Sequence, residues 1–150
     1  MGAEETAFNI NTTFLGRFFL SGYLNRMNER QLAWVQEGVN AYKKHVQPVI
    51  GKSKPFWPMG LPGWTDKTLA LGLDAGDRAL VTVWSRDGEG GELHLHLNRW
   101  RGCAGEASTV YPVQGYEQWP TRWDKASGEL VVTVPSGGGY VSRTFEVDFD

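Results

Sequence analysis

From Thr68 to the carboxyl end, apolar residues recur at every second position, and this period of two limits the possible folds more than any other feature of the chain. Leu69, Leu71 and Leu73 alternate with small residues, Ala79, Val81 and Val83 with Leu80, Thr82 and Trp84, and Leu93, Leu95 and Leu97 with Glu92, His94 and His96. Leu130, Val132 and Val134 make another face, as do Phe145, Val147 and Phe149. Successive side chains of a strand point to opposite sides, so each run reads as a strand with a face toward a core. Turn-forming clusters separate the runs: "DAGD" at 74–77, "DGEGG" at 87–91, "ASG" at 126–128 and "SGGG" at 136–139. With "STVYPV" at 108–113, about six strands are expected, the pattern of an antiparallel sandwich. No internal repeat of fixed period is present.

The first fifty residues break the pattern. The stretch "FLGRFFLSG" at 14–22 is apolar on both alternating faces, which predicts a strand covered on both sides, as in a parallel sheet wrapped by helices. A helix follows. Asn28 and Gln31 have the spacing of a capping box, Glu29 sits at the positive end of the helix dipole, and Leu32, Val35, Val39, Tyr42 and Val46 form one apolar stripe. Lys43, Lys44 and His45 occupy the last turns, where positive charge is favoured, and Pro48 ends the helix. Residues 51–66, "GKSKPFWPMGLPGWTD", hold three prolines and three glycines and read as a linker. Pro55 and Pro58 have a P-x-x-P spacing, but Phe56, Trp57, Met59 and Leu61 are costly to leave in water and are expected to pack over a domain boundary.

The chain thus divides into a strand-helix unit at 1–50, a linker at 51–66 and an antiparallel β-sandwich at 67–150, a mostly β fold. A lone strand-helix unit cannot complete a parallel sheet, because its strand needs neighbours on both edges. The chain is therefore expected to be the tail of a longer protein, and removal of residues 1–50 is expected to improve its solubility.

The formal charge of −2, with no run of Lys or Arg, argues against nucleic acid or an anionic membrane as main partner. No apolar run approaches the roughly 20 residues that span a bilayer, the acidic "MGAEET" opening is unlike a secretory signal, and the sequence names no compartment. The single cysteine, Cys103, reads as a small turn residue in "RGCAG". Seven tryptophans in 150 residues raise the prospect of sugar handling, since the apolar faces of a pyranose stack on indole rings, although large core residues are the commoner use of Trp.

The series "LGRFFLSGYL" at 15–24, "QLAWVQEGVNAYKK" at 31–44 and "PFWPMGLPGWTDKTLALGL" at 55–73 resembles, in order and spacing, the carboxyl-terminal part of the α-galactosidases of glycoside hydrolase family 36. The resemblance covers nearly the whole chain and is firmest from Gly16 to Leu73. It implies that the strand and helix are the last unit of a (β/α)8 barrel and that the sandwich is the β domain following it. It also implies a retaining enzyme that hydrolyses terminal α-galactosides of oligosaccharides with two aspartates on earlier barrel strands.

Retaining glycosidases hold two carboxyl groups about 5–5.5 Å apart. Neither implied aspartate has a counterpart here. Asp66, Asp74, Asp77, Asp87 and Glu89 fall in the linker and turns, Glu29 and Glu37 on the helix, so no catalytic residue and no hydrolysis are expected of this chain alone. Barrel active sites form at the carboxyl ends of strands, which makes Ser21 and Gly22 candidates to line the sugar pocket of the complete enzyme. His94 and His96 share a strand face but lack a third ligand, so no metal is expected, nor any cofactor. Ser21 is not in a G-x-S-x-G elbow, and the glycines at 137–139 read as a hairpin turn. The alternative is an autonomous carbohydrate-binding sandwich with Trp84, Trp100, Trp119 and Trp123 as stacking platforms, or a homo-oligomerisation module.

Overall fold

The chain forms two antiparallel sheets packed face to face, with a helical layer over the outside of the larger one, in a computed structural model that describes residues 1–22 and 24–150. Tyr23, inside the segment that carries the resemblance, lies outside the described residues. The larger sheet runs β1 (Lys54–Phe56), β2 (Thr68–Asp74), β3 (Arg78–Ser85), β8 (Val141–Phe149), β5 (Gly105–Tyr111), and the smaller β4 (Gly91–His96), β7 (Glu129–Val134), β6 (Thr121–Asp124). Every pairing is antiparallel.

All the strands expected from the period-two pattern form, and the sandwich with them. Val81, Val83, Leu95, Leu130, Val132, Phe145 and Val147 are buried between the sheets. Each such side chain withdrawn from water contributes about 1.5–3 kcal/mol. Two further strands escape the pattern because both are short edges. β1 contains Pro55, which cannot donate to a ladder and is tolerated because β1 pairs only with β2. Phe56 turns inward over Gly72, where a Cβ would lie 2.4 Å from its ring. β6 pairs only with β7.

The amino-terminal fifty residues differ from expectation. Residues 14–22 are not a strand: Phe14 is the last residue of helix α1 (Ala3–Phe14), and residues 17–21 have no regular structure. Ala7, Ile10 and Phe14 form a helical stripe that continues to Leu15, and Phe14 stacks on the Tyr111 ring at 5.6 Å with an interplanar angle of 11°. The apolarity on both faces of the segment therefore comes from a helix end followed by an irregular stretch, in which Phe18 packs on Phe14 and Tyr42 while Phe19 and Leu20 remain exposed.

Helix α2 (Glu29–Ala41) starts as expected: Asn28 Oδ1 accepts from the Gln31 N–H at 2.9 Å, and Gln31 Oε1 accepts from the Asn28 N–H at 3.0 Å. It continues as a π-helical turn over Tyr42–Val46 and stops before Pro48. Val35 and Val46 are buried and Val39 and Tyr42 half-buried, but Leu32, at the start of the expected stripe, faces solvent.

Both helices lie on the outer face of the larger sheet, against Leu73, Leu80, Val110 and Tyr111. Polar groups of β8 pin them there. The Arg143 guanidinium, 1% exposed, donates to both carboxylate oxygens of Glu4 at 2.8 Å and to the Glu117 carbonyl, and it stacks over the rings of Trp119 and Tyr116. Glu146 accepts from Arg78 at 3.0 Å and lies 3.0 Å from His45 Nδ1. Thr144 donates to Asn11 Oδ1 at 2.8 Å, so Thr82 must supply the proton of the 2.7 Å bond between the two threonine hydroxyls. Tyr111 and Tyr116 donate to the carbonyls of Trp34 and Ala3, and burial raises the pKa of both phenols.

The first fifty residues thus find their partner within this chain. Deleting residues 1–50 is expected to lower solubility, opposite to the sequence reading, because Leu73, Leu80 and Tyr111 would be uncovered together with the Arg143 charge. A soluble 51–150 fragment with a sharp thermal transition at or above that of the whole chain would refute this. Glu4→Ala, which leaves Arg143 without its counterion, is expected to cost about 3 kcal/mol in chemical denaturation.

Candidate functional site

The most chemically varied concavity lies where the loop after β1 meets the end of β4, a cleft of about 460 Å³. Its local structure follows from the edge strand. Phe56 points into the sandwich and packs against Trp100 at 6.0 Å, so the next residue, Trp57, points away from the core and is 46% exposed. The backbone beneath Trp57 is held at two points: its carbonyl accepts from the Gly60 N–H at 3.1 Å, and the Pro58 carbonyl accepts from the His96 N–H at 2.9 Å. The indole is therefore an exposed ring on a fixed base.

The same cleft also has polar lining. Asp74, at the end of β2, accepts from the Gly76 N–H through Oδ1 and pairs with Arg99 through Oδ2. Arg99 lies over the Trp100 ring at 5.5 Å. His96 and Asn98 complete the rim. The cleft thus brings together an exposed indole, a carboxylate, a guanidinium, an amide and an imidazole.

Of the residues singled out in the sequence, Asp74, His96 and Trp100 border this cleft, and the others lie elsewhere. Trp84, Trp100 and Trp119 are buried. Trp100 stacks on Phe149 at 4.8 Å with an interplanar angle of 5° and donates its indole N–H to the Gly76 carbonyl, while Trp119 packs on Phe145 beneath Arg143. Trp123 is half-buried, edge-on to Phe149, with its N–H given to the Cys103 carbonyl. Trp100 and Trp123 thus spend their donors inside the protein. Of Phe56, Trp57, Met59 and Leu61, all expected to be covered, Trp57, Met59 and, at 79% exposure, Leu61 are in water and only Phe56 is tucked in; Trp64, in the same segment, is 99% exposed.

Ser21 and Gly22 are exposed and stand on the irregular segment between the helices, not at a strand end. Gly22 has φ 116°, a conformation that L side chains rarely adopt, which accounts for glycine there. Ser21 borders a mostly apolar cleft of about 280 Å³ with Thr6, Asn9, Phe18 and Met27.

Most of the carboxylates considered for catalysis have structural partners. Glu37 accepts from the N–H groups of Val113 and Gln114, Asp66 from that of Gly63, and Asp87 and Glu89 bracket Lys67. His94 lies between two carboxylates, with Nδ1 2.8 Å from Glu129 and Nε2 2.9 Å from Glu92. Among the described residues no group of three or more His, Cys, Asp or Glu is placed to hold a metal ion, and no helix is long and apolar enough to cross a membrane. No protein-family model matches the chain, and no curated protein matches it in sequence.

Two outcomes follow. Gly72→Ala drives Phe56 outward and is expected to lower stability by about 1–3 kcal/mol, with increased hydrogen exchange at β1 as the diagnostic. The hydrogen bond to Glu129 holds the His94 pKa above its ordinary 6.5, so the bridge contributes fully below that value and is lost as pH rises through the folded one. His94→Gln is accordingly expected to lower the denaturation midpoint at about pH 6 and to leave it unchanged near pH 9.

Proposed function

We propose that this chain is the carboxyl-terminal part of an α-galactosidase-like retaining glycoside hydrolase and acts by supporting a catalytic barrel that carries both essential carboxylates. The observation behind this reading is the two-sidedness of the helical segment. One side is clamped to the sandwich through Arg143–Glu4 and His45–Glu146, and away from that seam Phe19, Leu20 and Leu32 are left in water. Apolar side chains exposed on an otherwise well-anchored element suit contact with a further body of protein. The sandwich then fixes the helices, and the helices fix the barrel. The α-galactoside class in this reading comes from the resemblance of residues 15–73 to family 36. Ser21 and Gly22, on the segment that would meet the barrel, remain the residues of this chain proposed to approach the substrate.

Reading the transcript upstream of the Met1 codon tests the proposal. An open frame of several hundred residues with two aspartates at barrel-strand ends is the expected result, and in-frame stops there would overturn it. The chain alone should release no galactose from raffinose-type sugars. In the complete enzyme, Ser21→Ala should raise KM several-fold, and unchanged kcat and KM would remove the hydroxyl from the pocket. A defined oligomer of the chain by sedimentation, together with upstream stops, would replace the supporting role by one in assembly.

A further inference from the structure

We infer that the cleft between Trp57 and the Asp74–Arg99 pair is a binding site for a neutral pyranoside. The site needs no catalytic barrel, so its failure would leave the hydrolase reading untouched. Its volume, about 460 Å³, falls within the 300–1,000 Å³ typical of small-molecule sites and suits one or two sugar rings.

The chemistry of the walls selects the ligand. A pyranose has an apolar face of axial C–H groups and a periphery of hydroxyls, each both donor and acceptor. Trp57 supplies the matching flat surface, and among the described residues nothing accepts from its indole N–H. In the same cleft, each Asp74 oxygen has a protein donor, yet a carboxylate has about four acceptor positions and keeps capacity for a hydroxyl proton. Arg99 gives one nitrogen to Asp74 and holds further N–H groups at the rim, where its guanidinium is kept in plane by the Trp100 ring. A carboxylate beside a guanidinium is the donor-acceptor combination that recognises vicinal hydroxyls, one oxygen giving a proton and its neighbour accepting one.

Charge excludes the obvious competitors. Asp74 and Arg99 neutralise each other, and His96 is backed by Glu129 at 3.6 Å, so the cleft offers no net positive charge to a phosphate or a uronate. Anchoring of the Trp57 backbone lowers the ordering cost of binding, since the loop does not have to be fixed by the ligand. The cleft is open on one side, which points to dissociation constants of about 1 mM.

The test is a titration of the full chain with methyl α-galactoside, methyl α-glucoside, methyl α-mannoside and raffinose, followed by the indole N–H signals in two-dimensional NMR. A saturable shift of the Trp57 signal is expected with at least one of these sugars. Trp57→Ala and Arg99→Gln should each weaken that sugar at least tenfold, read from the remaining shifts or by calorimetry, with the thermal transition retained because both side chains are exposed. His94→Gln, on the outer face of the smaller sheet, should leave affinity unchanged. No saturable shift up to about 50 mM of any sugar would overturn the inference. So would affinity that survives Trp57→Ala, or tighter binding of galacturonate than of its neutral counterpart.

Discussion

The pairing of Arg143 with Glu4 joins the start of the chain to its last strand, and much of the architecture is arranged around it. A guanidinium buried this deeply must be neutralised and have its donors satisfied, or it would prevent the strand from packing. Glu4 supplies the charge, the Glu117 carbonyl takes another donor, and Tyr116 and Trp119 cover the apolar faces of the group. These partners come from the first turn of α1 and from the 112–120 loop, so both must be in place at once. Apolar contacts alone would let the helices slide on the sheet. The forked geometry of the ion pair, together with the Thr82–Thr144–Asn11 chain and the Glu146 pairs, gives them one position.

The parts of the fold visible in the sequence are those set by local periodicity. Alternation in β2, β3, β4, β7 and β8 reports a sheet with one face on a core, and the Asn28–Gln31 box marks a helix start through atoms three residues apart. What stayed hidden depends on distant partners. Ser142, Thr144 and Glu146 look like the wet face of a strand, and only the helices laid over them make them interior, while Arg143, on the opposite face with Phe145, is enclosed by Tyr116, Trp119 and Glu4. The α1 stripe is interrupted by the buried polar residues Thr6, whose hydroxyl bonds the Gly2 carbonyl, and Asn11, whose purpose is legible only once β8 lies opposite. Phe14, Leu15 and Phe18, adjacent to the exposed Phe19 and Leu20, imitate a strand covered on both sides because composition cannot separate two kinds of neighbour.

The tryptophans divide in the same manner. Trp100 and Trp119 lie in segments that read as loops, yet each is a core residue, because the loops fold back over the open ends of the sandwich. Trp57 and Trp64, in the segment expected to be covered, are the ones presented to solvent. Segment type therefore predicted exposure poorly, while the inward turn of Phe56 at a two-residue period does explain the outward turn of Trp57.

β8, the last strand in sequence, occupies the inside of the larger sheet, between β3 and β5. A ribosome making this protein amino end first therefore delivers both flanks of that sheet, and the helices that cover it, before the strand that joins them. Until β8 clears the exit tunnel β3 and β5 have no strand to join them, and Glu4 has no guanidinium to meet. Closure of the larger sheet thus waits on residues 141–149, and a chain cut short before them lacks its keystone.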